Sequence, residues 1–96
     1  MRKALKHARQ NAIKCYSNAL RELELFNTIP KDHFGRVYFY RMYEICSDRV
    51  LTDYNTIMKS RSTCKIYRIM ENMNSYVAIW KLAYNYYRET MNERNN

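Results

Sequence analysis

The sequence predicts an all-α protein, a three-helix up-down bundle whose C-terminal helix is long or broken. Three observations carry this. Among 96 residues there is one Gly and one Pro, whereas small strand-rich domains need frequent tight turns. Apolar residues make up 47% of the chain, a folding composition rather than a disordered one. They recur at steps of three and four, the spacing of one helix face. The length suits a single domain over residues 1–90, followed by a frayed tail at 91–96.

The first helix is read over residues 5–26. Leu5, Ala8, Ala12, Tyr16, Ala19, Leu23 and Phe26 form its buried stripe, widened by Ile13 and Leu20. Pro30 ends it, because the residue before a proline is pushed out of the helical region.

Asp32 is placed to cap a second helix running to about Arg49. Its apolar residues occupy two adjacent strips, Phe34, Val37, Tyr38, Met42, Ile45 and Cys46 beside Phe39, Tyr43 and Val50. Such a wide stripe suits a helix touched on two sides.

Thr52-Asp53 offers a third start signal, and Ile66, Ile69, Met70, Met73, Val77, Trp80, Tyr84 and Tyr87 follow helical spacing beyond it. The polar run from Lys59 to Thr63 divides residues 54–90 into two helices, with a break near Ser62, or marks one bent helix. Residues 75–88 then project past the bundle or fold back on it. Their rings, including Tyr76, Trp80, Tyr84, Tyr86 and Tyr87, are either core or anchors for a partner, as aromatic residues often are at interfaces.

Catalytic equipment is lacking in this reading, and no cofactor is expected. A single glycine cannot build a phosphate-binding loop. Cys15, Cys46 and Cys64 are odd in number and widely spaced, which suits reduced core thiols rather than disulfides or a metal site. No run reaches the ~20 apolar residues of a membrane span. The net charge of +8 is concentrated early, since residues 1–21 hold six basic residues and no acidic one. Such an arm fits phosphates, an acidic protein or an organelle import receptor, or is simply a solvated face.

Cys15-Tyr16-Ser17 followed by Leu20-Arg21-Glu22 resembles the signature of the LYR-motif family, small mitochondrial helical proteins named for Leu-Tyr-Arg. Tyr16 matches the central tyrosine, and Leu20-Arg21-Glu22 the element that follows it. Cys15 and Ser17 replace the leucine and the arginine. The stretch from Phe39 to Cys46 is similar to the family's second helix. Within the family the chain looks most like the accessory subunit of the mitochondrial cysteine desulfurase.

The resemblance implies a non-catalytic protein of the mitochondrial matrix, or of a mitochondrion-related organelle, that stabilises a desulfurase for iron–sulfur cluster assembly. It also implies binding of an acyl carrier protein, through Tyr16, Arg21 and, by position in the second helix, Arg41. Together with Leu20, Trp80 and Tyr84 these are the expected partner-binding residues. The alternatives are a structural subunit of a ribosomal or viral assembly, or a basic helical nucleic-acid-binding protein, nucleic acid ranking below protein as a partner.

Overall fold

The computed structural model describes residues 2–95, with side chains described for residues 2–92. They form three α-helices, α1 (Arg2–Leu23), α2 (Arg36–Lys59) and α3 (Thr63–Asn95), with a short 3-10 segment (Glu24–Thr28) after α1. There is no strand among the described residues. The bundle is a rod of 56 × 20 × 16 Å.

The chain leaves α1 by tightening rather than stopping. Residues 24–28 wind as a 3-10 turn, and Ile29 is extended at φ −80°, ψ 122°, as its place before Pro30 requires. The helix read to Phe26 thus ends at Leu23, while Phe26 itself remains in the core. The turn is clamped by Arg36, whose guanidinium lies 4.1 Å from the centroid of the Phe26 ring and donates to the Ile29 carbonyl.

Asp32 does not cap α2. The helix begins four residues later, with Gly35 at the cap position and no side-chain cap. His33 organises the approach instead. Its Nδ1 accepts the Gly35 N–H at 3.0 Å, and its carbonyl accepts the Arg36 N–H at 3.0 Å. A Cβ on Gly35 would lie 3.0 Å from the Phe39 ring, so the close approach of backbone to ring favours glycine.

The Thr52-Asp53 start signal is also overturned, because α2 runs through it to Lys59. Thr52 lies mid-helix, its carbonyl accepting the Thr56 hydroxyl at 2.9 Å. The chain turns at Ser60–Ser62, inside the polar run, and α3 follows as a separate helix. There Ser62 Oγ accepts the Lys65 N–H at 3.3 Å, the contact of a helix N-cap. On the other side of the turn, Arg9 of α1 donates to the Ser60 carbonyl at 2.9 Å, supplying a cation where the α2 dipole is negative.

α3 is one 33-residue helix, about 50 Å long at 1.5 Å per residue. It extends to Asn95, through the stretch expected to fray, Asn96 lying outside the described residues. Residues 75–88 neither project nor fold back. They pack against the first half of α2 and the 3-10 turn, because α2 and its approach are long enough to cover them. Ala8, Ala12, Phe39, Cys46, Val50, Ile57, Ile66, Met73 and Trp80 are all at most 1% exposed and form the core.

Helices α1 and α3 run parallel. Asn11 meets Tyr67, Cys15 meets Asn74, Glu22 meets Trp80 and Thr28 meets Tyr84. α2 runs antiparallel to both, as the stacks Tyr16–Tyr54 and Phe26–Tyr43 on one side and the edge-to-face contacts Phe39–Tyr87 and Tyr43–Trp80 on the other demonstrate. It is touched on both flanks, as its wide apolar stripe implies.

Candidate functional site: two exposed apolar faces flanking α2

The expected partner-binding residues separate into three places. Trp80 belongs to the core, not to a docking surface. It is 0% exposed, and its indole N–H donates to the Glu22 carbonyl at 2.7 Å. The stripe Ile66, Ile69, Met73, Trp80 and Tyr87 is the buried spine of α3, so a ring on that line has no route to solvent. Tyr84 is half-buried beside it, its hydroxyl 2.6 Å from Thr28 Oγ1. That bond ties α3 to the 3-10 turn.

Tyr16 and Leu20 lie on the flank of α1 that meets α2. Tyr16 stacks on Tyr54 with ring centroids 3.9 Å apart. Leu20, one turn further, is exposed, as are Ile13 on α1 and Leu51 on α2. Arg21 is exposed and points away from this seam, 100° further around the helix than Leu20.

Arg41 sits on the opposite flank of α2. It falls between Tyr38 and Ile45 at helical spacing, and all three are exposed. This flank faces α3, where Ile79, Leu82 and Tyr86 are exposed at 41%, 72% and 56%. The antiparallel register brings Tyr38 level with Tyr86, and Ile45 level with Ile79. Phe34, Tyr38 and Tyr86 line a cleft of about 430 Å³ with Phe39 and Gly35. The result is an open apolar surface across α2 and α3 with a guanidinium at its edge.

Sequence reading placed Tyr86 among the C-terminal aromatics but did not single out Leu82 or Ile79. The signal was present in their spacing, Ile79, Leu82 and Tyr86 standing at i, i+3 and i+7 beside the Trp80 spine. The main apolar stripe masked it.

The polar chemistry is sparse. Burial pushes the thiols of Cys15 and Cys46 up from their ordinary range, against nucleophilic or ligand duty. Cys15 donates to Asn74 Oδ1 at 3.0 Å, and Cys64 is exposed at the start of α3. Among the described residues no group of three or more His, Cys, Asp or Glu side chains converges as a metal site. No described helix is long and apolar enough to cross a membrane.

Comparison with known proteins finds no matching family model, no similar characterised protein and no similar solved structure.

Proposed function

We propose that this chain is a non-catalytic accessory subunit that binds and stabilises a cysteine desulfurase for iron–sulfur cluster assembly in a mitochondrion or related organelle. The observation that carries a binding role is the exposed apolar surface of Tyr38, Ile45, Ile79, Leu82 and Tyr86. Exposed large apolar side chains gathered on two neighbouring helices are the raw material of an association site. A subunit that covers a partner's apolar surface in this way stabilises it by mass action.

The choice of a desulfurase rests on the resemblance of Tyr16 and Leu20-Arg21-Glu22 to the LYR signature. In this reading the α2–α3 face meets the desulfurase, with Arg41 pairing a carboxylate at its rim. The α1–α2 seam around Tyr16 and Leu20, with Arg21 nearby, receives the acyl carrier protein. Entry of an acyl chain there requires the Tyr16–Tyr54 stack to part.

The test is co-expression with a cysteine desulfurase from the same source, then size-exclusion chromatography and measurement of sulfide release. Co-elution with raised activity is the expected result. A double variant, Ile79→Glu with Leu82→Glu, places charge on the open face and should abolish co-elution while the free bundle keeps its helical circular dichroism. Separate elution of two well-folded wild-type proteins would reject the desulfurase as partner.

A further inference from the structure

The excess positive charge of the chain is gathered at one end of the rod. Arg9 joins α1 to the α2–α3 turn through Ser60, and Arg2 and Leu5 face Arg61 and Thr63 across a cleft of about 370 Å³. The start of α1, the end of α2 and the start of α3 therefore share one pole. Over residues 2–14 α1 contributes Arg2, Lys3, Lys6, Arg9 and Lys14, and over residues 54–70 the turn and its flanks add Lys59, Arg61, Lys65 and Arg68. Neither segment holds an acidic residue, whereas the rest of the chain sets eight basic residues against nine acidic ones.

All of these cations except half-buried Arg9 are exposed. α1 and α3 also begin here, which adds the positive ends of two helix dipoles. The negative end of α2 is answered by Arg9 and by Lys59 in its last turn. The rod is 20 × 16 Å in cross-section, against a screening length of about 8 Å at physiological salt and longer at lower salt, so the summed field of these cations strengthens as salt falls.

We infer that this pole is a docking surface for an anionic phospholipid membrane, seated on its headgroups end-on. A blunt, cation-only tip fits a plane of phosphates. Proteins that hold single nucleic-acid strands interleave cations with stacking rings, and here the exposed rings Phe34, Tyr38, Tyr40 and Tyr86 lie toward the other end. Tyr67 is the exposed ring at the pole, and its hydroxyl accepts a hydrogen bond from Asn11 at 3.2 Å. Nor does α1 supply a wide insertable apolar face here, because Ala8 and Ala12 are fully buried and Leu5 is half-buried, which leaves Ile13 as the exposed large aliphatic side chain of residues 2–14. Attachment is therefore electrostatic and reversible, and it leaves the α2–α3 face accessible; it does not depend on what that face binds.

The experiment is co-sedimentation of the full chain with vesicles of phosphatidylcholine alone or with about 30% phosphatidylglycerol, at salt from about 50 to 300 mM. Binding to the anionic vesicles alone, declining at least tenfold across that salt range, is expected. The triple variant Lys3→Glu, Lys6→Glu, Lys65→Glu should lose at least tenfold in partitioning. Lys31→Glu, Lys81→Glu, Arg88→Glu carries the same charge change away from the pole and should lose less than threefold, both variants being checked by circular dichroism. If the polar triple does not fold, the wild-type salt and lipid dependence and the second triple still decide. Equal binding to neutral vesicles, no binding at low salt, equal loss in two folded triples, or tighter binding to an RNA oligonucleotide at matched phosphate concentration would each overturn the inference.

Discussion

The indole N–H of Trp80 donates to the backbone carbonyl of Glu22 at 2.7 Å. The carbonyl lies in the last turn of α1, where helix geometry leaves acceptors without partners. One side chain therefore fills the middle of the bundle and closes a helix end. Trp80→Phe keeps most of the ring but removes this part-buried hydrogen bond and should cost about 1–3 kcal/mol. Trp80→Ala adds a cavity and should cost about 3–5 kcal/mol. Urea denaturation followed by circular dichroism measures both. A loss below 1 kcal/mol for Trp80→Ala would return the ring to the list of partner anchors.

The Tyr16–Tyr54 stack, at 3.9 Å between centroids and 14° between planes, holds α1 and α2 together beside an exposed seam. A double-mutant cycle with Tyr16→Ala and Tyr54→Ala should return a coupling of about 0.5–1.5 kcal/mol, the range for aromatic pairs. Tyr16→Phe should leave stability nearly unchanged, since the ring rather than the hydroxyl makes this contact. A coupling near zero would mean that the seam is already open in solution.

Apolar spacing made the α1 face, the α3 spine and the two-sided character of α2 legible in the sequence, because burial demands a periodic stripe whatever the tertiary context. Helix starts were less legible. Thr52-Asp53 has the chemistry of a cap, yet Val50 and Ile57 continue the buried stripe through it, and tertiary packing overrides a local preference. Asp32 yielded to His33 for a similar reason. The ring packs beneath Phe39 and Tyr87 and so fixes the approach to α2 from the core. The candidate faces were only partly legible, since spacing gives the stripes of each helix but not which stripe its neighbours cover.

The three thiols should separate by reactivity. Cys46 is fully buried, Cys15 is half-buried beneath Asn74, and burial raises both thiols, which lowers their thiolate fraction. Cys64 is exposed at the N-terminal end of α3. Titration of the native protein with an aromatic disulfide reagent should show one fast thiol, and Cys64→Ser should remove it. Denaturant should release the other two. Two fast thiols in the native protein would place Cys15 in solvent and argue against its bond to Asn74.

Asp53 is the polar residue whose removal should strengthen the bundle. Its Oδ2 is buried without a hydrogen-bond partner. Desolvation raises its carboxyl above the ordinary value, against the opposing pull of the Arg49 charge. A raised acid in the folded state binds its proton more tightly than in the unfolded chain. Its contribution is thus most favourable below the ordinary carboxylate range and is lost as pH rises through the raised value. At neutral pH the ionised group is a cost. Asp53→Asn removes that charge and should raise the melting temperature by about 2–4 °C at pH 7. The difference between the two proteins should shrink as pH falls and the native carboxyl takes up its proton. Melting curves for both proteins in matched buffers from neutral to acid pH cancel the titration of the other carboxylates. An unchanged or lower melting temperature for Asp53→Asn at pH 7 would show that the Arg49 attraction outweighs desolvation and that the carboxylate stabilises the bundle.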